Sequence, residues 1–319
     1  DTPMCFPKAI GMGISPSQLI SSRTGLALVD LHKMHEGMLD ASIMVAYLPQ
    51  GERDEVSLER ANRNAHHILD QIEGMVADNA DALEIARTPE DLYALKGQGK
   101  KAIMTGVENG YAVGKDINNV KKFRDRGVVY MTLCHNGDND ICDSARGNTE
   151  HNGVSQFGEQ VIREMNKVGM MVDLSHASEK SFFDALEISA TPIVCSHSSS
   201  KALCNHPRNL TDGQLLALAR KGGVAQVTLY EGFLRADGKA SILDAVEHIR
   251  HMVRVMGIEH VGIGTDFDGD GGVPGIASAS EVINLTRMLL RNNFSEQDLR
   301  LLWGGNFLRV MKEIQNFKL

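Results

Sequence analysis

Two histidines in the middle of the chain each follow a short apolar run. Residues 170–175 lead into His176, and residues 192–196 lead into His197. The apolar side chains between them, at 177–191, have helical spacing, so this stretch predicts a strand, a helix and a second strand. Neighbouring parallel strands end at the same edge of a sheet, and we therefore expect the two imidazoles to emerge close together. Such a pair is a candidate for metal ligation.

Further polar groups stand where other apolar runs end. Runs at 101–108 and 128–135 end in a glutamate and a histidine, and the run at 260–267 reaches an aspartate. One such group is usually structural, but several at equivalent strand ends suit Zn²⁺ or a similar divalent ion. Asp1 belongs to the set if a strand precedes it. The groups are Asp1, Glu108, His135, His176, His197, Tyr230 and Asp266.

Parallel strands are needed to bring these groups together, and the sequence predicts seven of them, most separated by helices. Seven parallel strands do not close a barrel, whereas eight do, with the active site at their C-terminal ends. We therefore predict an α/β fold, a (β/α)8 TIM-type barrel whose first strand is missing or truncated upstream of Asp1. No linker interrupts residues 1–319, which are predicted to form a single domain. The predicted strands are 42–48, 101–108, 128–135, 170–176, 192–197, 222–230 and 260–267.

Composition narrows the range of partners. The net charge is −8, the pI is about 5.8 and no Lys/Arg run occurs, which argues against nucleic acid or an anionic membrane surface as a partner. The five cysteines include no C-x-x-C pair, and Cys134 and Cys195 lie inside apolar runs, where buried reduced thiols are expected. The expected compartment is the cytoplasm, with the periplasm or secretion as alternatives if an export signal precedes Asp1.

Two apparent motifs do not support other functions. Residues 266–271 imitate the start of an EF-hand, but the twelfth position is Ala277 and a strand, not a helix, leads into the motif. Asp268 and Asp270 are therefore expected to shape the loop. Residues 198–200 are three serines, but no Gly-x-Ser-x-Gly elbow surrounds them.

Six short motifs, taken together and in order, resemble those of the renal (membrane) dipeptidase family, peptidase family M19 of the amidohydrolase superfamily. The resemblance runs from Asp1 to about Met311, nearly the whole chain. The motifs are Val107–Gly110, Leu133–His135, Asp173–His176, Cys195–Ser198, His206–Asn209 and Gly264–Gly269.

The resemblance implies a metal centre. The family is a (β/α)8 barrel with two zinc ions at its C-terminal face, and its first strand carries a His-x-Asp pair. Asp1 resembles the end of that pair, so Asp1 and Glu108 would bind one ion together with a histidine upstream. Glu108 would bridge to the second ion, which His176 and His197 complete. Without the upstream histidine, the ion that shares Asp1 is expected to be weakly bound or absent.

The resemblance also implies a reaction. His135, Arg208, Tyr230 and Asp266 match the family's substrate-pocket positions. The chain would hydrolyse dipeptides that carry a free C-terminal carboxylate, by a hydroxide that bridges the metals. Asp266 would transfer the proton, His135 would stabilise the oxyanion and Arg208 would hold the carboxylate. A dipeptide or a similar small amide is the expected partner, and a homodimer is left open.

Two alternatives stay open at this stage. The same barrel could act on another amide, such as a D-configured dipeptide, an N-acyl amino acid or a β-lactam. The loops at 5–25, 136–153 and 231–240 would decide between these substrates. The chain could also be a catalytically impaired barrel that serves as a binding protein, because the first-strand histidine is missing.

Overall fold

All strands of the sheet run parallel. The structure is a computed structural model that describes residues 2–3 and 27–318. Eight of its strands follow one another in chain order as β1-β2-β4-β5-β6-β7-β8-β9, and β3 pairs with β4 outside this path. The strands are β1 (Thr2–Pro3), β2 (Ala41–Tyr47), β3 (Leu83–Ile85), β4 (Lys101–Glu108), β5 (Val128–Thr132), β6 (Met171–Asp173), β7 (Val194–Cys195), β8 (Val224–Val227) and β9 (Val261–Ile263).

Helices cross over between most successive strands, which is the order of a (β/α)8 barrel and confirms the predicted fold class. The α-helices are α1 (Leu31–Glu36), α2 (Glu55–Ala77), α3 (Pro89–Gly97), α4 (Asn118–Asp125), α5 (Gln156–Val168), α6 (Glu179–Ile188), α7 (Asp212–Arg220), α8 (Glu231–Leu234), α9 (Ile242–Met256), α10 (Val282–Arg291), α11 (Glu296–Arg300) and α12 (Asn306–Gln315). Short 3-10 turns lie at Gly110–Val113, Ile258–His260 and Ala279–Glu281, and a π-helical turn lies at Leu301–Gly305.

The first strand of the barrel was expected to be missing or truncated upstream of Asp1, but part of it is present as β1. Thr2–Pro3 pair in parallel with Ser42 and Ile43 of β2, so part of the strand that was expected to be missing lies within the chain. With this strand included, the path contains the eight strands that the fold requires.

Local sequence signals explain where the helices begin. Thr88 and Thr211 each cap a helix, because their side chains accept the backbone N–H of the residue three positions later. The side chain of that later residue accepts the backbone N–H of the threonine, which completes a capping box. Asp30 caps α1 and Ser155 caps α5 through the same side-chain hydrogen bond, but neither forms a capping box. The helical segment from α11 to α12 is broken, because Gly304 leaves the helical region between them.

Most of the predicted strands end earlier than expected, and one buried carboxylate accounts for two of these ends. The run predicted over 170–176 stops at Asp173, and the run over 192–197 is a strand only at Val194–Cys195. The Asp173 carboxylate accepts the backbone N–H groups of Ser175 and Ser196. These two N–H groups therefore do not form hydrogen bonds with the backbone of a neighbouring strand. The histidines therefore stand on loops just beyond the strand ends. β3, which was not predicted, is only three residues long.

The strands are buried on both faces. Alternate residues of β2 fall into two apolar clusters, Ile43 and Val45 in one and Met44 and Ala46 in the other. Cys134, Cys142, Cys195 and Cys204 are buried and form no disulfide. Among residues 2–3 and 27–318, no helix combines the length and the apolar character that crossing a membrane requires.

Candidate metal centre and active site

Three side chains from three strand ends converge in the interior. Glu108 ends β4, and His176 and His197 follow β6 and β7. The Oε1 atom of Glu108 lies 3.3 Å from Nε2 of His176 and 3.6 Å from Nε2 of His197. The two Nε2 atoms are 2.9 Å apart, and all three side chains are buried. This cluster could hold a metal ion.

Hydrogen-bond partners assign the protons of both imidazoles. The Ser196 hydroxyl donates its one proton to Asp173 Oδ2 over 2.7 Å, so it accepts from Nδ1 of His197 at 2.8 Å. The side-chain oxygen of Asn136 lies 3.2 Å from Nδ1 of His176 and accepts its proton. Each ring therefore turns the lone pair of Nε2 toward Glu108.

Burial keeps these rings neutral. Desolvation, followed by the positive charge of Arg208, lowers the pKa of His176 and of His197 well below the usual histidine value. Neutral imidazole is the form that binds metal ions. At neutral pH both rings therefore offer a lone pair and no competing proton.

The donor set fits a divalent ion such as zinc. Two lone pairs 2.9 Å apart beside a carboxylate oxygen repel one another unless a cation or a proton lies between them. Zn–N bonds of about 2.0–2.1 Å place two nitrogens on one tetrahedral ion about 3.3 Å apart, close to the spacing seen here. The Glu108, His176 and His197 side chains are thus spaced as ligands of one ion.

The Asp173 carboxylate organises the loops behind the histidines. Fully buried, it accepts the hydroxyl groups of Thr132, Ser175 and Ser196 at 2.6–2.7 Å, in addition to the two backbone N–H groups. The Ser175 hydroxyl in turn accepts the backbone N–H of His197 at 3.0 Å. A buried carboxylate with this many donors is stably held, so it joins the ends of β5, β6 and β7 into one unit.

The turn after Glu108 is held in an uncommon conformation. Asn109 has φ 90°, a left-handed value that costs energy for a residue other than glycine. Its side-chain amide donates to Leu48 O and its oxygen accepts from Tyr111 N and Asn139 Nδ2, at 3.0–3.1 Å. These bonds stabilise the turn and so orient the carboxylate of Glu108 toward the histidines.

His135 lies beside the cluster. Its Nε2 atom is 3.8 Å from Oε1 of Glu108, and its ring centroid is 4.2 Å from that of His176. The ring of Tyr47 packs edge-on against it at 4.7 Å. His135 is partly exposed and faces the cavity, which places it next to any group that the cluster binds.

A cavity of about 350 Å³ opens over the cluster. Most of the residues predicted for the site line it, while His197 lies behind its wall. The lining residues from the predicted set are Glu108, His135, His176, Arg208, Tyr230 and Asp266.

Arg208 is an almost completely buried cation in this wall. Its Nη2 atom contacts His197 O at 3.5 Å, and its guanidinium carbon lies 5.3 Å from the ring centroid of Phe233. The Nε and Nη1 atoms are buried and have no hydrogen-bond partner among the residues that the structure describes. Burial lowers the pKa of Arg208, and nearby Asp266 and Glu108 oppose this shift. Unpartnered buried donors of this kind suit an anionic group of a ligand.

His206 supports the Arg208 loop. Its Nδ1 atom accepts the backbone N–H of Arg208 at 3.1 Å, and its ring packs on Phe233 with centroids 4.4 Å apart. Phe233 also packs edge-on against Tyr230, at 4.7 Å. His206 therefore holds the backbone of Arg208 in position.

Asp266 stands in the loop after β9 with φ 54°. The same loop is tied to a distant part of the chain, because the Asp268 carboxylate accepts the backbone N–H groups of Leu28 and Val29 at 2.7 and 3.2 Å. Burial raises the pKa of Asp268 to about 6, against the effect of these two donors. Asp268 thus shapes the loop. Asp1 lies outside the described residues.

Several residues of the site were not singled out from the sequence, and Asp173, Asn136 and Arg146 are examples. Asp173 belongs to one of the motifs, but no separate role was predicted for it. An acid inside a buried apolar run is itself a signal of a structural or functional role. Asn136 and Arg146 line the cavity from the loop after β5. Nothing in the local pattern of that polar loop marks these two side chains as different from their neighbours.

Comparison with known proteins gives a consistent result. The model of the membrane dipeptidase family (peptidase family M19) matches residues 1–319. Dipeptidase tcpJ of Claviceps purpurea is 32% identical over 295 residues, 90% of this chain and 69% of that protein. An uncharacterised dipeptidase of Schizosaccharomyces pombe is 38% identical over 244 residues, 74% of this chain and 59% of that protein.

A solved structure extends the similarity to the fold. The crystal structure of the probable dipeptidase PvdM from Pseudomonas aeruginosa superposes with a TM-score of 0.89 at 27% identity, over 99% of this chain and 94% of that one. These matches confirm the resemblance seen in the motifs, and with it the predicted enzyme class of a metallo-dipeptidase. The chain belongs to the membrane dipeptidase family, peptidase family M19.

Proposed function

We propose that this chain, as a single metal-dependent hydrolase domain, hydrolyses the peptide bond of dipeptides that carry a free C-terminal carboxylate. The observation that carries the proposal is the placement of Arg208. Its buried guanidinium lines the cavity that contains Glu108 and His176, and two of its nitrogens have no hydrogen-bond partner within residues 27–318. A planar guanidinium binds a carboxylate through two parallel hydrogen bonds.

The proposed cofactor is a pair of zinc ions. Glu108, His176 and His197 would hold one of them, and Glu108 would share its second oxygen with the other, which Asp1 would help to bind. When bound, such ions polarise a carbonyl group and lower the pKa of water. Of this ligand set, the Glu108–His176–His197 half has the support of the geometry described above.

The chain's own residues would supply the remaining steps. Asp266 would accept a proton from the attacking water and deliver it to the leaving amine, as a general base and then a general acid. His135, on the cavity side of the cluster, would donate a hydrogen bond to the developing oxyanion. Tyr230 would line the substrate pocket beside Phe233.

We also propose the cytoplasm as the compartment. The four cysteines among the described residues are free and buried, which fits a reducing environment.

A substrate panel tests the function. The full chain, loaded with Zn²⁺, is assayed with Ala-Ala, with Ala-Ala amide, with an N-acyl amino acid and with a β-lactam. We expect turnover of Ala-Ala, and a fall of at least about 10²-fold in kcat/KM when the terminal carboxylate is amidated, because the buried fork of Arg208 then lacks its anion. Arg208→Met should remove most of this difference.

An exposed arginine on α5 provides the matched control. Arg163→Met removes a guanidinium that pairs with Glu159 on the surface, and it should leave the preference for the free carboxylate unchanged. Equal turnover of Ala-Ala and its amide by the wild-type protein would contradict the proposed substrate class.

A further inference from the structure

A second guanidinium reaches the cavity from the loop after β5. Arg146 lines the same cavity as Arg208, but its side chain is exposed where that of Arg208 is buried. Within residues 27–318, the Arg146 side chain forms no ion pair and no hydrogen bond. The cavity thus presents two cations, one in its wall and one at its rim.

The backbone of Arg146 is fixed although its side chain is exposed. Its N–H donates to the Ser144 hydroxyl at 3.2 Å, and that hydroxyl contacts His135 O at 2.5 Å and His176 O at 3.3 Å. The neighbouring Ala145 N–H donates to His176 O at 2.8 Å. The backbone of Arg146 is therefore anchored to the loops that carry His135 and His176, and its position relative to the cluster is set by the fold.

Both guanidinium groups line the cavity together with His206. Burial lowers the pKa of His206, and the charges of Arg208 and then Arg146 lower it further. His206 also accepts the backbone N–H of Arg208. If Arg208 holds the C-terminal carboxylate of a dipeptide, the C-terminal residue lies in the cavity that Arg146 also lines.

We propose that the site prefers dipeptides whose C-terminal residue has an acidic side chain, which Arg146 binds. The proposal rests on the function proposed above. One terminal carboxylate satisfies the fork of Arg208, so the charge of Arg146 remains for a second carboxylate on the same substrate. A neutral or basic side chain would leave Arg146 unpaired or repelled, which lowers the stability of the bound complex.

The test compares isosteric substrates. The zinc-loaded full chain is assayed with Ala-Glu and Ala-Gln, which differ only in the charge of the side chain. We expect kcat/KM for Ala-Glu to exceed that for Ala-Gln by about 10-fold, as for a charge-assisted contact in a partly exposed site. In Arg146→Met the ratio should fall to about one, and in Arg146→Glu the preference should move to Ala-Lys.

Arg163→Met again serves as the control, since it removes an exposed guanidinium that is not among the residues lining the cavity, and it should keep the wild-type ratio. Equal kcat/KM values for Ala-Glu and Ala-Gln in the wild-type protein, or an unchanged ratio in Arg146→Met, would overturn the acidic preference alone. A wild-type protein that hydrolyses none of the dipeptides would overturn the proposed function and this inference with it.

Discussion

The Nε2 atoms of His176 and His197 lie 2.9 Å apart although 21 positions separate the two residues in the chain. Both rings carry their proton on Nδ1, because Asn136 and Ser196 accept from those atoms. Two lone pairs and the Glu108 carboxylate therefore share one buried space. The arrangement is unfavourable without a cation or a proton between the nitrogens, which links the loops of this site to metal binding.

Removal of one imidazole should disable the centre. His176→Ala leaves Glu108 and His197 as the remaining ligands of the cluster, so we expect loss of bound zinc and a fall of at least about 10³-fold in dipeptide turnover. Metal analysis of the purified protein and kcat/KM for Ala-Ala measure the two effects. Wild-type turnover in this variant would remove His176 from the ligand set.

The hydroxyl of Ser196 should control metal affinity without contacting the metal. Ser196→Ala removes the acceptor for Nδ1 of His197 and frees the ring to rotate or change tautomer, so zinc affinity should fall by about 10- to 100-fold. Thr132→Val is the matched control, because Thr132 also donates to Asp173 but does not touch His197. Competitive chelator titrations measure both variants. Equal losses in the two would mean that Ser196 acts only by supporting Asp173.

Asp266→Asn separates proton transfer from metal binding. Asparagine adopts left-handed backbone angles readily, so the φ of 54° at this position should be retained. We expect kcat to fall by about 10²- to 10⁴-fold, because the amide cannot accept the proton. Zinc content is measured on the same sample. A loss of activity that follows a loss of zinc would argue against the role in proton transfer.

His248 should contribute to the pH dependence of stability. It is buried, its Nδ1 accepts the backbone N–H of Ser200 and its Nε2 contacts Leu234 O. Burial lowers the pKa of His248, and the hydrogen bond to Leu234 O opposes this shift without cancelling it. The unfolded chain therefore binds the proton more readily, and the folded state loses stability as the pH falls through about 6.5.

Denaturant unfolding of the metal-free protein between pH 5.5 and 7.5 measures this effect. The free energy of unfolding should decrease toward acid less steeply in His248→Gln than in the wild-type protein, by at most about 1.4 kcal/mol per pH unit. The other buried histidines contribute equally to both proteins and cancel in the comparison. Parallel curves would show that His248 does not titrate differently in the folded and unfolded states.

Much of the architecture follows from local sequence. Thr88 and Thr211 begin helices because their side chains satisfy backbone donors three residues away, an interaction that spacing alone reveals. Apolar runs of strand length predicted the parallel sheet, and the motifs predicted the family. Residues at equivalent strand ends must meet in such a sheet, so Glu108, His176 and His197 could be grouped from the sequence.

The remaining features depend on contacts between distant parts of the chain. Asp173 joins three strand ends, and Asp268 bonds to Leu28, 240 positions away. The place of Arg146 at the cavity rim depends on Ser144 and on the loops that carry His135 and His176. The sequence by itself determined the order of the main strands and helices, the helix caps and the ligand types, because these depend on periodicity and on neighbouring residues. Only the tertiary structure decided which loop side chains face the cavity, because hydrogen bonds between loops form once the barrel has packed.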